Sequence, residues 1–407
     1  MRILVLNQYF YPDRSATSQL LTELCEDLAE HHDVFVVTGR PSYNAAHDTR
    51  SRGLLSRELH GRVRVARVWS TTFDRAVGMR GRLTNYGTFL ASSVAGAFAI
   101  ARPDVVMGLT DPPPIGLIGA MTAKARGVPF VLVVKDLFPE VAVSLGALRS
   151  PAVIASLRSA RGRLLSAADL VISIGRDMDR RLLDLGVPRD RIATIHDWSD
   201  RRIVRPLDRP SVLRDRFGWG NRFVVMHSGN VGLSQDLETV VEAADLLRQE
   251  PDVLFAIVGE GASKISLQAA VFERGLGNVA FLPFQDQKDL SESLGAADVH
   301  LVGLRRGLAG AIVPSKVYGI LAAGKPYLAA VEAGSEPALI AEEHGCGVRV
   351  EPGDARALAD GVLAMRKADL TTMGKRGREA LENRFDRRFA ADRYDRALRE
   401  TVAAGRR

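Results

Sequence analysis

Ile312-Val-Pro-Ser-Lys-Val-Tyr-Gly-Ile-Leu-Ala-Ala-Gly-Lys-Pro326 is the stretch that decides the fold of the second half of this chain. It follows an apolar run and a glycine-rich loop, and it predicts a helix that starts at Ser315 and ends at Gly324, since serine caps helices and glycine terminates them. A strand, a loop and a helix start make an anion site, because unpaired backbone N–H groups point at the ligand. Lys316 adds a positive charge in the first turn, so we predict that it binds an anion. The alternative is a solvated surface lysine.

The length of 407 residues predicts two domains, because one hydrophobic core rarely extends that far. Cys25 and Cys346 form no metal or redox motif, so we expect reduced core residues of a cytosolic protein. Met1 leads directly into an apolar run, and no run of 18 or more apolar residues occurs. We therefore expect neither a signal peptide nor a membrane-spanning helix.

Positive charge is concentrated in the first half of the chain. Residues 1–205 hold 28 Lys and Arg against 20 Asp and Glu, whereas the remainder holds 27 against 28. The first half is therefore expected to meet an anionic partner. Basic and aromatic residues are not interleaved as base stacking requires, so nucleic acid is not the expected partner. A phospholipid surface or a diphosphate-bearing acceptor fits better.

Short apolar runs alternate with helix-length amphipathic segments, which is typical of parallel sheets covered by helices. The runs are residues 3–6, 34–38, 63–68, 105–109, 130–134, 170–174 and 192–195 in the first series, and 223–227, 254–258, 279–282, 299–304, 327–331 and 348–350 in the second. A polar stretch, residues 197–210, separates the two series and predicts two α/β domains. Because open parallel sheets bind ligands at the carboxyl ends of their strands, we expect the active site between the domains.

Two places in the first domain carry polar side chains at predicted strand ends. Ser15 and Thr17 follow the first strand, where they suit a phosphate or a sugar hydroxyl, or simply cap the next helix. Asp136 and Glu140 follow another strand and are fixed by a proline. One of these carboxylates could orient an acceptor hydroxyl or act as a base, or Asp136 could cap the following helix. Residues 38–62 are predicted as a long polar loop.

The segment of residues 83–98 predicts an amphipathic helix, and Arg75, Arg80 and Arg82 precede it and make it basic. Such a helix can lie on an anionic membrane surface. The alternative is a helix that packs on its own sheet. The first reading places the protein in the cytoplasm, peripheral at the inner face of the plasma membrane.

The second domain has glycine turns at successive strand ends. Ser228-Gly-Asn-Val-Gly232 follows the first strand and is a weakly specific phosphate-binding turn. Gly259-Glu-Gly261 follows the next strand, where glycines let the backbone approach a planar base or a ribose. Glu260 could hold a ribose hydroxyl. The repetition of such turns in one domain favours a nucleotide ligand.

These stretches together resemble the retaining glycosyltransferases of family 4, which have the GT-B fold, and especially the bacterial enzymes that build O-antigen, capsule or exopolysaccharide. The resemblance covers nearly the whole chain. The residues that carry it are 3–6 with Gln8-Tyr-Phe-Tyr-Pro12, Asp136-Leu-Phe-Pro-Glu140, Asp197-Trp-Ser-Asp200, Ser228-Gly-Asn-Val-Gly232, Val258-Gly-Glu-Gly261, Pro314-Ser-Lys316 and Ala322-Ala-Gly-Lys-Pro326.

The resemblance implies two facing Rossmann-like α/β domains with the active site in the cleft between them. Residues 1–205 would bind the acceptor, residues 206–385 would bind a nucleotide sugar, commonly a UDP-sugar, and residues 386–407 would return as a helix to the first domain. Transfer would retain the anomeric configuration, with the leaving diphosphate assisting removal of the acceptor's proton. The protein would then mainly stabilise the diphosphate and orient the acceptor.

The resemblance also implies the site residues. Lys316, Asp136 and Glu140 would be the catalytic residues. The donor-binding residues would be Ser15 and Thr17 over the diphosphate, Gly229 and Asn230 in the first glycine turn, Gly259 and Glu260 at the nucleoside, Phe284 beside the base, and Arg306, Ser315 and Lys316 at the diphosphate.

This chain departs from the family pattern at several positions. These are Ala311 and Gly319, where two glutamates are frequent, Asn230 and Gln235, where Arg and Lys are frequent, and Thr110, where a histidine is frequent. Lys316 is therefore the one evident cation expected near the diphosphate, joined by Arg305 or Arg306.

The resemblance implies a glycosyltransferase that moves a sugar from a UDP-sugar to a saccharide or a polyprenyl-diphosphate-linked acceptor. No cofactor is expected beyond the nucleotide sugar, and no motif calls for magnesium. Two alternatives stay open: a non-hydrolysing UDP-sugar epimerase, which shares the two-domain architecture, and a catalytically inactive UDP-sugar-binding protein. The missing glutamates favour the last of these.

Overall fold

The computed structural model describes residues 1–13, 15–41, 53–73 and 79–405, and in it the chain forms two β-sheets covered by helices. The strands of the first sheet are β1 (Arg2–Leu6), β2 (Asp33–Thr38), β3 (Leu55–His60), β4 (Val63–Val68), β5 (Val105–Leu109), β6 (Phe130–Val133), β7 (Leu170–Ser173) and β8 (Ile192–Thr194). Their spatial order is β3-β4-β2-β1-β5-β6-β7-β8, and every neighbouring pair except β3 and β4 is parallel.

Helices cover both faces of the first sheet. In chain order they are α1 (Ala16–Leu28), α2 (Met79–Phe98), α3 (Ile115–Arg126), α4 (Glu140–Ser144), α5 (Pro151–Ala167) and α6 (Arg176–Asp184). Ile3 and Val5 of β1 contribute to the core under α1, whereas Leu4 and Leu6 contribute to the core under α2, α3 and α5. The strands are continuous apolar runs because both of their faces are buried.

The second sheet is entirely parallel, with the order β11-β10-β9-β12-β13-β14. Its strands are β9 (Phe223–Ser228), β10 (Val253–Val258), β11 (Val279–Leu282), β12 (Val299–Gly303), β13 (Tyr327–Ala330) and β14 (Gly347–Val350). Its helices are α7 (Val212–Arg216), α8 (Leu237–Leu246), α9 (Lys264–Glu273), α10 (Leu290–Gly295), α11 (Lys316–Ala322), α12 (Glu336–His344), α13 (Ala355–Arg366) and α14 (Leu370–Ala380). The prediction of an α/β fold with two Rossmann-like domains is confirmed.

The chain crosses between the sheets twice. The outward crossing follows β8 and the return crossing precedes the last helix, α15 (Arg387–Gly405). The crossings run side by side, since Ser199 and Asp386 form a parallel bridge. Helix α15 packs against α1 of the first domain, where Arg387 donates hydrogen bonds to both carboxylate oxygens of Asp27.

One loop prediction is wrong in part. Leu55–His60, expected as polar loop, forms the edge strand β3 and pairs antiparallel with β4. Strand β3 could not be predicted from the sequence, because it lacks the continuous apolar run of the inner strands. It lies at the edge of the sheet, where its residues alternate between exposed and half-buried. Residues 42–52 of the expected loop lie outside the described part of the chain.

Helix α2 is neither a purely surface helix nor a purely buried one. Phe89 and Ala97 are buried against the sheet, whereas Leu83 is 60% exposed. Helix α2 can approach the sheet closely because Gly96 has no side chain. A Cβ on Gly96 would lie 2.5 Å from the side chain of Val68. The side chains of Arg80 and Arg82, and all of Arg75, lie outside the described residues. No helix in the described ranges is long and apolar enough to cross a membrane.

Candidate active site

The glycine turns of the second domain interlock at the carboxyl end of its sheet. Gly229 and Gly259 both have positive φ angles, 139° and 144°, which favour glycine. A Cβ on Gly259 would lie 1.8 Å from the carbonyl oxygen of Gly229, so no other residue fits there. The amide of Val231 donates to the carbonyl of Glu260 at 2.9 Å, which ties the two turns together. The two turns therefore pack against each other through their backbones, with Gly229 half-buried and Gly259 buried, and together they form what we call the glycine shelf.

Lys316 points at this shelf. Its ammonium lies 3.3 Å from both ring nitrogens of His227 and 3.7 Å from the position that a Cβ on Gly229 would take. The Nε2 of His227 is 3.2 Å from the carbonyl of Asn230, which leaves Nδ1 to accept from Lys316. Within the described residues, no carboxylate forms an ion pair with this ammonium. The structure thus presents a cation without an anion beside a glycine turn.

The pKa values of this pair reflect their surroundings. Burial lowers the pKa of Lys316 to about 7, although part of the side chain remains accessible from the cleft. Burial also lowers the pKa of His227, and the neighbouring Lys316 lowers it further. His227 is therefore neutral near pH 7, and an anion bound at Lys316 would favour the charged form of the lysine.

The start of α11 differs from the prediction in one respect. Ser315 occupies the cap position, but its side chain makes no capping hydrogen bond. The hydroxyl of Ser315 is thus left for another partner. The helix has only seven residues, so the charge of Lys316 is the main electrostatic feature of this end.

The two arginines of the glycine-rich loop are already paired. Arg305 lies 3.3 Å from Glu238 and 3.7 Å from Asp236. Arg306 lies 3.4 Å from Glu351 and is largely exposed. Lys264, at the second glycine turn, is paired with Glu260, so among the described cations near these turns Lys316 is left without a carboxylate partner.

The remaining residues expected at the nucleoside surround Gly259. The ring of Phe284 is 46% exposed and approaches within 3.5 Å of the Cβ position of Gly259. Glu260 forms a 2.7 Å ion pair with Lys264, which also donates to the carbonyl of Gly259. Asn230 is exposed at the rim of the first turn. An exposed aromatic ring beside a glycine is a suitable platform for a planar base.

Ser15 and Thr17 of the first domain lie at the start of helix α1. Ser15 accepts a hydrogen bond from the amide of Ser18 at 3.2 Å, so its capping role is confirmed. Thr17 is half-buried in the first turn of α1. The proposed contact of Ser15 and Thr17 with a diphosphate stays a prediction.

Asp136 lies where the two domains meet. It forms an antiparallel bridge with Ile312, and the amide of Leu137 donates to the carbonyl of Ala311 at 2.9 Å. Burial raises the pKa of Asp136 to about 6, with Lys135 opposing and Asp197 adding to the shift, although the residue remains partly accessible to solvent. The suggestion that Asp136 caps the following helix is wrong, since α4 begins after Pro139 without a side-chain cap.

Thr110 fixes the backbone before Asp136. Its hydroxyl accepts from the amide of Lys135 at 3.0 Å and, more weakly, from that of Asp136 at 3.4 Å. The side chain of Lys135 forms an ion pair with Asp197. These contacts hold the end of β6 in place below the cleft.

Glu140 is held by two arginines of α5. It forms an ion pair with Arg161 and a second one, of 3.2 Å, with Arg158. Burial would raise the pKa of Glu140, but the hydrogen bonds from Arg161 and Arg158, the charge of Arg161 and a backbone hydrogen bond together outweigh burial, and the net shift is downward. Such a carboxylate is a weak base. Its catalytic role stays a prediction, and its geometry favours positioning of the arginines.

The glycine-rich loop of the second domain is held by the first domain, which sequence reasoning missed. Asp177 accepts hydrogen bonds from the amides of Gly310, at 3.0 Å, and Glu336, at 3.2 Å. Arg181 donates to the carbonyl of Ala309 at 2.6 Å. Ala311, which stands where a glutamate was expected, is fully buried in the core of the first domain. This alanine therefore packs between the domains rather than facing a ligand.

A buried ion cluster completes this contact. Glu336 is inaccessible to solvent and lies 2.9 Å from Arg176 and 3.0 Å from His196. Burial would raise the pKa of Glu336, but hydrogen bonds from His196 and Arg176 lower it to about 2. Asp177 and Glu336 share the signal that singled out Asp136, because both follow a strand and lie at the start of a helix. The contact between them was not predicted, because the two residues lie far apart in the sequence and no local motif relates them.

Comparison with known proteins covers both domains. A family model described as "Glycosyl transferase 4-like domain" matches residues 16–198, and one described as "Glycosyl transferases group 1" matches residues 212–380. The putative colanic acid biosynthesis glycosyl transferase WcaI of Escherichia coli (strain K12) is 32% identical over 378 residues, which cover 89% of this chain and 91% of that protein. The probable glycosyltransferase WbjE of Pseudomonas aeruginosa is 30% identical over 305 residues, which cover 74% and 76%.

A solved structure matches the whole chain. The crystal structure of Anabaena Alr3699/HepE in complex with UDP superposes with a TM-score of 0.75 at 16% identity, and the match covers 98% of this chain and 100% of that one. At this identity the likeness concerns the fold. It confirms the expected arrangement of two facing Rossmann-like domains.

Proposed function

The chain belongs to the glycosyltransferases that join a glycosyl transferase 4-like domain to a group 1 domain, and we propose that it transfers a sugar from a UDP-sugar, with retention, to a saccharide or lipid-linked saccharide. The donor would bind on the second domain and the acceptor on the first. WcaI, which matches along most of the chain, is named for colanic acid biosynthesis. We accordingly place the reaction in the synthesis of a cell-surface polysaccharide.

The observation that carries this proposal is the unpaired ammonium of Lys316. A partly buried cation without a counter-ion is unfavourable, and a diphosphate would satisfy it. The ammonium lies beside the backbone of Gly229, 3.7 Å from the position that a Cβ there would take, so Lys316 and the glycine turn would face the same ligand. Charge develops on the diphosphate as the donor bond breaks, so the same ammonium would stabilise the transition state more than the ground state.

In the proposed reaction, the bond between the anomeric carbon and the diphosphate oxygen breaks with its electrons on the diphosphate. The acceptor hydroxyl forms the new bond on the same face of the sugar, and its proton passes to the departing diphosphate. Asp136, ionised above its pKa of about 6, would accept a hydrogen bond from that hydroxyl and orient it. No atom of the protein becomes covalently attached to the sugar.

The choice of a uridine donor rests on two supports. Anabaena Alr3699/HepE, which shares the fold, has been solved with UDP. In this chain, the exposed ring of Phe284 beside Gly259 offers a stacking surface for a base, which is equally suited to other nucleotides. A panel of UDP-, GDP- and ADP-sugars in native mass spectrometry decides among them.

Substitution of Lys316 tests the proposal. We expect Lys316→Met to lower kcat by about 10²–10³-fold, the range found for loss of one charge-stabilising donor. The thermal midpoint should stay unchanged or rise, because the substitution removes an unpaired buried charge. Turnover with the best donor of the panel and thermal melting measure the two effects. Lys367→Met, a lysine of the α13 end, is the matched control and should change neither.

Three outcomes would contradict the proposal in different ways. Parental turnover in Lys316→Met would remove the lysine from the site. Conversion of a UDP-sugar in the absence of acceptor would indicate the epimerase alternative. Nucleotide-sugar binding without transfer to any acceptor would indicate an inactive binding protein.

A further inference from the structure

His227 is a buried histidine that contacts the side chain of Lys316. It is the last residue but one of strand β9, directly before the first glycine turn, and it is inaccessible to solvent. Both of its ring nitrogens lie 3.3 Å from the ammonium of Lys316, at the start of α11. The two residues are 89 positions apart in the sequence, so folding of the second domain brings them together.

The two contacts of His227 define its protonation state. Nε2 lies 3.2 Å from the carbonyl oxygen of Asn230, which can only accept a hydrogen bond, so Nε2 carries the hydrogen. Burial and the charge of Lys316 hold the pKa of His227 well below its usual range, so Nδ1 carries none near pH 7. The ring therefore offers the ammonium an uncharged acceptor, which attracts the positive charge without neutralising it.

The other ionisable groups around this pair do not supply a negative charge. His300 of the neighbouring strand β12 is also buried, and burial lowers its pKa to about 4, so it is neutral as well. Lys325, which follows α11, and Arg305, in the loop before α11, are cations. Within the described part of the chain, the ionisable side chains close to the ammonium are thus neutral histidines and further cations.

A neutral acceptor suits a lysine that must bind an anion. The lysine side chain is long and flexible, so holding its ammonium in one place costs conformational entropy before any ligand arrives. The contact with His227 keeps the ammonium beside Gly229, 3.7 Å from the position that a Cβ there would take. A carboxylate in place of His227 would also hold the ammonium, but it would neutralise the charge that a diphosphate needs. The imidazole provides the position and leaves the charge available.

We propose that His227 is a positioning residue for the transfer reaction: its neutral ring directs the ammonium of Lys316 to the glycine turn and leaves the charge free for the diphosphate. The inference rests on the proposed function and adds to it a residue that acts through Lys316 and does not itself touch the substrate. Two measurable properties then depend on His227. They are the affinity for a diphosphate and the pH at which the free protein loses the ammonium.

Three substitutions of His227 separate position from charge, with UDP as the probe. His227→Asn keeps a neutral acceptor and should bind UDP nearly as tightly as the parent protein. His227→Leu removes the acceptor, and we expect the Kd for UDP to rise about tenfold, the usual effect of losing a hydrogen bond to a charged group. His227→Asp has the size of the asparagine variant but adds a charge that repels the diphosphate, so its Kd should rise about tenfold or more. Isothermal titration calorimetry measures all three.

The ionisation of Lys316 can be followed without turnover or nucleotide. Trace acetylation with acetic anhydride from pH 5 to 10, followed by mass spectrometry of the peptide that contains Lys316, reports the fraction of free amine at each pH. In His227→Asp this titration should lie about one pH unit or more above that of His227→Asn, because an adjacent opposite charge favours the ammonium. In His227→Leu it should not move upward. A purely structural role of His227 would change the asparagine and aspartate variants alike.

His300 supplies the matched control. It is a second buried histidine on the neighbouring strand, and its Nε2 contacts the carbonyl oxygen of Leu294 at 3.0 Å. His300→Leu also removes a buried imidazole, but it should change neither the Kd for UDP nor the titration of Lys316. Thermal melting verifies that each variant folds. If His227→Asp does not fold, the comparison of His227→Asn with His227→Leu still decides, because equal Kd values for UDP would contradict the inference.

Protection of Lys316 by UDP separates this inference from the proposed function. If UDP protects Lys316 from acetylation in the parent protein, yet the asparagine and aspartate variants titrate alike, the positioning role of His227 alone is overturned. If the titrations differ as expected, yet UDP neither binds nor protects Lys316, the proposed function alone is contradicted. Agreement of both measurements with expectation supports the two together.

Discussion

Lys316 and Asp136 are the two residues whose ionisation lies closest to neutrality within the proposed site. Burial lowers the pKa of Lys316 to about 7 and raises that of Asp136 to about 6. The proposed reaction needs the ammonium and the carboxylate together. The two pKa values therefore leave a narrow interval in which the free enzyme holds both groups in the required form.

We expect kcat/KM to be bell-shaped, because the pH dependence of kcat/KM reports groups of the free enzyme. The acid limb should lie near pH 6, where Asp136 loses its proton, and the alkaline limb near pH 7, where Lys316 loses its own. Initial rates at low donor concentration across pH 5 to 9 measure both limbs. In kcat the alkaline limb should move upward, because bound diphosphate stabilises the ammonium.

Two variants assign these limbs. Asp136→Asn should lower the rate and abolish the acid limb, and Lys316→Arg should abolish the alkaline limb because arginine does not lose its proton in this range. An unchanged profile in either variant would assign that limb to another group. Linkage adds a stability effect with a defined sign: the lowered pKa of Lys316 makes the folded state bind fewer protons, so its contribution to stability rises with pH above about 7.

At the scale of elements, ion pairs between α6 and α12 link the two domains. Glu336 at the start of α12 is buried and binds both Arg176 of α6 and His196. Arg176 also forms an ion pair with the more exposed Glu343. One arginine thus makes a buried and an exposed pair, which allows the two to be compared within a single protein.

We expect Glu336→Ala to destabilise the protein by about 3–5 kcal/mol, because it leaves Arg176 without its buried partner. Glu343→Ala, the matched control, should cost about 1 kcal/mol or less. Denaturant unfolding measures both. Equal costs would show that the buried pair has no special role.

The pH dependence of the same contact has a defined sign. Because the pKa of Glu336 is lowered from its ordinary value of 4.5 to about 2, its stabilisation is complete above pH 4.5 and is lost as pH falls towards 2. Glu336→Gln should remove this part of the acid-induced loss. Parental acid sensitivity in this variant would contradict the assignment.

The elements also show how far sequence reasoning reaches. The turn before Lys316 and the glycine shelf were predictable, because each is encoded within a few neighbouring residues whose backbone preferences are known. Strand β3 was not, because an edge strand lacks the continuous apolar run of an inner strand. The contact between Asp177 and Glu336 was not predictable either, since 159 residues separate them and only domain packing brings them together.

At the scale of the whole molecule, the first domain has two unlike faces. The face of α2, α3 and α5, helices that carry no Asp or Glu, is basic and partly apolar, whereas α1 and α15 on the other side carry several carboxylates. Part of the excess of positive charge in residues 1–205 therefore comes from the Lys and Arg residues of α2, α3 and α5, which no acid on these helices offsets. We therefore propose that the protein works at the surface of an anionic membrane, one of the two expectations for residues 83–98.

We expect the protein to sediment with vesicles that contain phosphatidylglycerol, and less so as salt rises, since electrostatic attraction is screened. Arg163→Glu, on exposed α5, should weaken binding roughly fivefold or more, because each basic residue near such a surface contributes about 1 kcal/mol. Arg396→Glu, an identical charge reversal on α15, should have little effect. Equal effects of the two charge reversals would show that vesicle binding depends on the net charge of the protein and not on this face.

The contacts of the first domain with residues 307–311 would couple separation of the domains to the position of the segment before Lys316. Any separation of the lobes that parts Asp177 from Gly310 also frees the segment leading to Lys316. If a nucleotide binds at Lys316 as proposed, its affinity and the closure of the two domains would be thermodynamically reciprocal: whichever favours one would favour the other by the same free energy. One opening motion of the domains would then both release the product nucleotide and loosen its binding site.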